Sequence, residues 1–157
     1  MTKYKIDKPL IFLIISSFIL FSIIFVHNSN KKYQYPPMAS EVFFDVYLPV
    51  YVPEGFDCDV MEIDDAFAYL EFHKEDGKKL SFTQMPAKSF TLDIDNENHK
   101  ITEFKNEKYN GYHMHPLKSD VQTLVFWNEN NLFQIMGQIT EKEIIKMANS
   151  LSLIYSP

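Results

Sequence analysis

The chain has 157 residues, which is enough for one domain with a hydrophobic core and too few for two ordinary domains. Its net charge is −6, and from residue 33 onward ten lysines stand against twenty acidic residues, so this part carries about −10. That balance argues against nucleic acid as a partner and against binding to an anionic lipid surface, because each neutralised phosphate needs a cation.

An apolar segment, LIFLIISSFILFSIIFV, runs from residue 10 to residue 26 without a charge. As a helix it would be roughly 25 Å long, close to the hydrocarbon thickness of a bilayer, about 30 Å. A cleaved signal peptide is the main alternative, but the run is long for one and no Ala-x-Ala pattern follows it. A buried soluble helix would show a polar face, which three serines scarcely provide. We therefore predict a transmembrane anchor over residues 10–28, so that the lipid bilayer is one partner.

The charges that flank this segment predict its orientation. Lys3, Lys5 and Lys8 precede it, whereas Lys31 and Lys32 follow it. The lysine excess favours a cytoplasmic N-terminus. Residues 1–9 would then be a short cytoplasmic tail of a single-pass cell-membrane protein, and the C-terminal domain would be extracytoplasmic.

A polar stretch separates the anchor from the domain. Residues 29–40 are rich in amides and lysine and contain Pro36-Pro37, which favours an extended linker. We place the extracytoplasmic domain at residues 41–157. Its first segment, 47–52, is interrupted by prolines that cannot donate to a ladder, so it should be an edge or extended lead-in before a turn at Glu54-Gly55.

Three hairpins are predicted downstream of this lead-in. Alternating apolar residues and turn signals mark three pairs of segments: 66–74 with 79–85, 101–109 with 112–117, and 121–127 with 132–139. Asn110-Gly111 is the strongest tight-turn dipeptide among them. Residues 57–63 add a possible earlier strand.

One helix is predicted near the C-terminus. Thr140 and Glu143 have the spacing of a capping box. An apolar stripe follows at helical spacing: Ile144, Met147, Ala148 and Leu151. The stripe needs a sheet to cover it, so we predict an α+β domain with an antiparallel sheet of about five to seven strands and this helix packed on one face.

Catalytic motifs are scarce in this sequence. It contains no Gly-x-Ser-x-Gly and no glycine-rich phosphate loop. The single cysteine, Cys58, lies between Asp57 and Asp59, which would raise its pKa and weaken thiolate formation. We predict that the protein is not an enzyme and needs no cofactor.

Two segments are candidates for metal binding. His113 and His115 would lie on one face of a strand and could bind a transition metal with help from His99 or a carboxylate. The alternative is a pair of exposed strand histidines.

The second segment, DIDNENH, offers Asp93 and Asp95 as calcium ligands. Asn98 and Phe104 stand where an EF-hand needs glycine and glutamate, so that loop is excluded and a weak calcium site or a solvated loop remains.

Aromatic residues supply the candidate ligand or partner site. Trp127 and Phe126 lie in the third hairpin, and Tyr47 and Tyr51 lie in the lead-in. They could line a pocket, although aromatic residues at such positions also form cores.

Three segments carry a resemblance to a known family: YLPVYVPEGF, LSFTQMP and VFWNENNLFQIMGQITEKEIIKMANSL. Together, over residues 41–153, they resemble an extracytoplasmic bacterial domain family of unknown function. The resemblance implies a domain often found C-terminal in membrane-anchored proteins related to anti-sigma factors, and it supplies no catalytic residues. Because only nine residues precede the apolar segment, we expect no cytoplasmic sigma-binding domain.

The anchor, the linker and the acidic sheet domain together predict a function. We expect a single-pass, membrane-anchored, non-catalytic binding or sensing module whose partner is an envelope protein or ligand. Two alternatives remain open at this point, an envelope hydrolase or metal-dependent enzyme and a structural component of an envelope complex.

Overall fold

The computed structural model describes residues 42–87 and 97–157. The predicted tail, anchor and linker lie outside the described residues, and so do Asp93 and Asp95. Within the described ranges, no helix combines the length and apolar character needed to cross a bilayer.

Nine strands and one helix make up the described part of the chain. In chain order they are β1 (Val46–Pro49), β2 (Phe56–Ile63), β3 (Ala68–Lys74), β4 (Lys79–Pro86), β5 (His99–Lys105), β6 (Asn110–Pro116), β7 (Gln122–Trp127), β8 (Asn131–Gly137), α1 (Glu141–Asn149) and β9 (Leu151–Tyr155). Seven strands form one antiparallel sheet in the order β2-β3-β4-β8-β7-β6-β5, while β1 and β9 form a separate antiparallel pair. The predicted α+β class, with a mostly antiparallel sheet and one C-terminal helix, is confirmed.

All three predicted hairpins are present, as β3-β4, β5-β6 and β7-β8. The possible early strand is β2, which pairs with β3. Strand β4 pairs with β8 and joins the first hairpin to the third, with Phe82 opposite Ile135. The sheet is therefore continuous although its strands come from separate hairpins.

One face of the sheet forms the core. Side chains alternate between the two faces of a strand, and the inward positions are fully buried: Ala68, Leu70, Phe72, Leu80, Phe82, Leu124, Phe126, Phe133 and Ile135. Ile144, Met147 and Ala148 of α1 are also fully buried and belong to the same core cluster. The helix thus packs on one face of the sheet.

Helix α1 begins as its sequence predicts. The Thr140 hydroxyl accepts a hydrogen bond from the Glu143 backbone N–H at 3.3 Å, and the Glu143 carboxylate accepts one from the Thr140 backbone N–H at 2.8 Å. This capping box satisfies donors that a helix end otherwise leaves unpaired. It therefore fixes the position of the first helical turn.

The turn of the second hairpin lies elsewhere than predicted. Asn110 and Gly111 belong to β6, and the turn spans residues 106–109. Asn106 Oδ1 accepts hydrogen bonds from the backbone N–H groups of Lys108 and Tyr109, both at 2.8 Å. This side-chain turn replaces the backbone turn that Asn-Gly would make.

Strand β9 was not predicted, and it explains the lead-in. The prolines of the lead-in confine it to the two-stranded β1-β9 ribbon, outside the large sheet. Gln84, fully buried on β4, ties this ribbon to the sheet, because its Oε1 accepts from the Tyr47 backbone N–H at 2.8 Å. Its Nε2 donates to the Asp45 carbonyl at 2.6 Å and to Asn131 Oδ1 at 2.7 Å. The predicted turn at Glu54-Gly55 is confirmed, with Gly55 at φ +83°.

Candidate functional site

Two histidines of β6 lie side by side on the core face of the sheet. His113 and His115 are two residues apart on this strand, and their ring centroids are 3.9 Å apart. His113 is only 2% exposed, whereas His115 is half-buried. Both rings thus lie on the same face of β6, as their spacing predicts, and only His115 is partly exposed to solvent.

Helix α1 adds a carboxylate to this pair. Glu141 is the first residue of the helix that the capping box begins. Its Oε1 lies 4.0 Å from His113 Nδ1, and its Oε2 lies 3.9 Å from His115 Nε2. One ligating atom from each of the three residues lies within 4.8 Å of the others. Two imidazoles and a carboxylate therefore converge where the first turn of the helix meets β6.

Buried polar atoms without partners surround this convergence. Neither ring nitrogen of His113 reaches full hydrogen-bond geometry with a partner, and neither does the buried Oε1 of Gln122, although this side chain lies close to the His113 ring. An unsatisfied buried polar group costs about 1–3 kcal/mol, so native proteins contain few of them. All three atoms belong to His113 and Gln122, so the cost is concentrated at one place in the core.

The protonation of His113 follows from its burial. Desolvation lowers the pKa of His113, and the neighbouring His115 lowers it further, whereas Glu141 and Gln122 act in the opposite direction. The neutral imidazole is therefore favoured. A neutral imidazole carries a lone pair, which is the form that binds a metal.

An open cleft of about 440 Å³ adjoins the histidine pair. Its walls include His115, Gln122, Ser119 and Asp120, together with Thr140 at the start of α1. Both signs of charge line it, because Lys74, Lys78 and Glu143 also face the cavity. A small ligand or a partner's side chain could reach His115 from this side.

One of the carboxylates that line the cleft, Glu143, is held in the capping box. Glu143 Oε2 accepts hydrogen bonds from both the backbone N–H and the hydroxyl of Thr140, at 2.8 and 2.7 Å. The Thr140 hydroxyl bond lowers the pKa of Glu143. A carboxylate with a lowered pKa is a weaker base, so Glu143 is poorly suited to general-base catalysis.

The other residues proposed from sequence as metal ligands are not part of this group. His99 pairs with Pro116 at the start of β5, which places its side chain on the face opposite to His113 and His115. Asp93 and Asp95 lie outside the described residues. Sequence reasoning missed Glu141 and Gln122, and the one signal for Glu141 was the acidic first turn of the helix.

The four aromatic candidates are not gathered at one place. Phe126 is fully buried in the core, while Trp127, the next residue along β7, lies on the opposite face of the sheet. Trp127 stacks at an angle against Tyr112, with centroids 5.9 Å apart, and lines a separate polar depression of about 720 Å³. The rings of Phe126 and Trp127 therefore lie on opposite faces of the sheet and do not share a pocket.

The two tyrosines of the lead-in contact the core and the helix. Tyr47 packs edge-on against Phe133, with ring centroids 6.1 Å apart. Lys146 Nζ lies 3.7 Å from the centre of the Tyr51 ring, a cation–π contact. Both tyrosines therefore help hold the β1-β9 ribbon and α1 in place.

A second polar cluster lies on the open face of β3. The Tyr69 hydroxyl donates to Glu71 at 2.7 Å, and His73 Nε2 contacts the other oxygen of Glu71. His73 Nδ1 lies 3.2 Å from Asp59. The hydrogen bond from His73 lowers the pKa of Glu71 to about 2, and the hydrogen bond to Glu71 raises the pKa of Tyr69 to about 12. Both ring nitrogens of His73 thus already face carboxylates.

Cys58 is a half-buried cysteine on β2. Its Sγ contacts the Val60 carbonyl at 3.3 Å. Burial raises the pKa of Cys58, and Asp59 raises it further. The thiol is therefore less reactive than an ordinary cysteine, in the direction that its acidic neighbours predict.

Comparison with known proteins gives one match. A family model described as Domain of unknown function (DUF4367) matches residues 46–151, well over half of the chain. Neither the curated proteins nor the solved structures give a significant match. The matched residues cover β1 to the first residue of β9 and include His113, His115, Gln122 and Glu141. The chain belongs to the DUF4367 family, a family of domains of unknown function.

Proposed function

We propose that this chain is a single-pass membrane protein that presents a non-catalytic binding or sensing domain outside the cytoplasm. Three features of the sequence support the proposal: the charge-free segment at residues 10–26, the lysines that precede it, and the acidic charge of about −10 from residue 33 onward. The domain would then bind its partner in the envelope or in the medium. We also propose that the domain is displayed from the membrane in the same way as the C-terminal domains of membrane-anchored proteins related to anti-sigma factors.

The cleft at the start of α1 is the observation that supports a binding role. It is open to solvent, it is lined by charges of both signs, and its floor includes Gln122, whose buried Oε1 makes no hydrogen bond. A ligand that supplies the missing partner would regain the desolvation cost of that atom. In the described part of the chain, this cleft is both open to solvent and lined by a residue with an unsatisfied polar atom.

A metal-dependent hydrolase is the second candidate, and the donor set favours it. Two histidines and one glutamate hold zinc in several hydrolases, with a fourth position left open for water. Such an enzyme also needs a base near that water. Glu54, Asp120 and Glu143 line the cleft, and the one at the helix start, Glu143, has its pKa lowered by its pairing with Thr140. We therefore favour binding over hydrolysis.

Site-directed photocrosslinking in intact cells tests the binding role. A photoreactive amino acid is placed at Ser119, which is exposed and lines the cleft, and in a matched variant at Glu103, which is exposed on β5 outside it. We expect a discrete crosslinked product from position 119 and none from position 103. Equal products at both positions would favour a structural role in an envelope complex, and no product at position 119 would overturn the binding role of the cleft.

A further inference from the structure

We propose that His113, His115 and Glu141 bind a divalent transition-metal ion and that Gln122 orients His113. The inference names the ligand of the cleft, so it rests on the proposed binding role, but it does not depend on the anchor or on where the domain lies. Two observations support it: the three side chains converge, and buried polar atoms there lack full hydrogen bonds.

The spacing of the three residues is close to that of a bound ion. Metal bonds of about 2.0 Å in a tetrahedral site place ligand atoms about 3.3 Å apart. Here the His113 and His115 nitrogens lie 4.0 and 3.9 Å from the two Glu141 oxygens, so each histidine–glutamate pair needs to close by less than 1 Å, and all three ligating atoms lie within 4.8 Å of one another. The Glu141 side chain is 56% exposed and can rotate, while the strand keeps the two imidazoles in place.

The types of ligand indicate the class of metal. Imidazole nitrogens suit zinc, copper, nickel and iron, whereas magnesium and calcium prefer sites made of oxygen ligands. His115 and Glu141 are only partly buried, and the cleft borders His115. A fourth coordination position would therefore open toward the cleft, where water or a group from a partner could occupy it.

Gln122 has the position of an outer partner. Nδ1 of His113 faces Glu141, so binding the ion through Nδ1 leaves Nε2 in need of a buried acceptor. The Gln122 side chain lies close to His113, but its buried Oε1 does not reach full hydrogen-bond geometry with either ring nitrogen. Metal-binding histidines commonly donate their second N–H to such an oxygen, which fixes the ring and its tautomer. A bound ion would thus satisfy Nδ1, and a small movement of the Gln122 amide would pair its Oε1 with Nε2–H and satisfy the other two atoms.

Metal titration of the full chain, purified in detergent and stripped with a chelator, tests the inference. Zn²⁺ is added against a competing chelator dye to obtain the stoichiometry and the Kd. We expect one equivalent of Zn²⁺ to bind, with no competition from Mg²⁺ or Ca²⁺. Co²⁺ added in place of Zn²⁺ should give the visible absorption of a four- or five-coordinate site.

Variants at partly exposed ligands locate the site. His115→Ala and Glu141→Gln should abolish stoichiometric binding, and Gln122→Ala should raise the Kd by about 10- to 100-fold. His73→Ala is the matched control, since this histidine contacts carboxylates on the other face of the sheet and should leave the Kd unchanged. Far-UV circular dichroism without metal checks that each variant folds.

The outcomes separate this inference from the proposed function. Failure of the wild-type chain to bind Zn²⁺, or full binding by both His115→Ala and Glu141→Gln, overturns the metal site. If crosslinking from Ser119 still captures a partner in that case, the binding role of the cleft stands without the metal. If Zn²⁺ binds as expected but position 119 captures nothing, the metal site stands and the proposal that the cleft binds a partner is overturned.

Discussion

His113 Nδ1 lies 4.0 Å from Glu141 Oε1, although one residue belongs to strand β6 and the other to helix α1. The contact exists because the capping box starts the helix at Glu141, directly over the buried end of the histidine pair. A buried histidine without hydrogen bonds is costly in a fold that has an apolar core around it. The proposed metal site should therefore lower the stability of the metal-free protein, and this loss can be measured.

Replacing His113 by leucine should stabilise the metal-free protein. His113→Leu removes two buried nitrogens that make no full hydrogen bond and leaves a side chain of similar size in the core, so the free energy of unfolding should rise by about 1 kcal/mol or more. Urea unfolding of the full chain in detergent with a chelator measures the change. His73→Leu is the control and should give no gain, because His73 is paired with carboxylates. A loss of stability in His113→Leu would show that the imidazole has a structural role in the metal-free fold.

The amide of Gln84 should be important for attaching the β1-β9 ribbon. Gln84→Met keeps the approximate volume but removes the hydrogen bonds to Tyr47, Asp45 and Asn131. Since buried groups are left unsatisfied, we expect the free energy of unfolding to fall by about 3 kcal/mol. Relative to wild type, the variant should show a larger increase in hydrogen-exchange rate in β1 and β9 than in β7. Uniform loosening of all the strands would contradict the local role of this amide.

Two glycines should respond differently to alanine. A Cβ at Gly111 would lie 2.3 Å from the Val125 carbonyl oxygen and 2.7 Å from Phe126 Cα, so Gly111→Ala forces β6 and β7 apart. Thermal unfolding should show a cost of about 3 kcal/mol, at the upper end for overpacking. A Cβ at Gly77 meets nothing within 4 Å, so Gly77→Ala should cost only the strain of its φ of +84°, about 1 kcal/mol. Equal costs would show that β6 and β7 can accommodate a Cβ at Gly111, which would contradict the close approach of the two strands as the reason for this glycine.

Protonation of Glu71 should lower the stability of the protein in acid. Its pKa is about 2 in the folded protein against an ordinary value of 4.5, so its contribution is complete above pH 4.5 and is lost as the pH falls toward 2. Glu71→Gln should flatten this part of the stability curve, as measured by urea midpoints between pH 5 and pH 2. Glu75→Gln, at an exposed turn position, is the control. An identical acid slope in Glu71→Gln and wild type would contradict the role of the His73 contact.

Much of the fold can be predicted from local patterns in this sequence. The three hairpins and α1 follow from alternating apolar residues and from the Thr140–Glu143 spacing, because both signals act over a few neighbouring residues. Strand β9 could not be predicted, since its pairing with β1 joins the two ends of the domain. The turn at Asn106 was missed because its asparagine side chain, rather than a glycine, makes the turn.

The candidate site was only half visible in the sequence. The spacing of His113 and His115 gave their common face, but their contact with Glu141 depends on how α1 crosses the sheet. Strand alternation alone separates Phe126 from Trp127, so that pair could have been rejected from the sequence. Burial of His113 and the unsatisfied Gln122 oxygen are properties of packing, which no local pattern reports.

Cysteine labelling in intact cells tests most directly whether the domain lies outside the cytoplasm. With Cys58 replaced by serine, a single new cysteine is introduced as Lys118→Cys, at an exposed loop position, or as Lys3→Cys, in the predicted cytoplasmic tail. A maleimide that cannot cross membranes should label Lys118→Cys in intact cells and Lys3→Cys only after permeabilisation. Protection of Lys118→Cys until the cells are permeabilised would contradict the account.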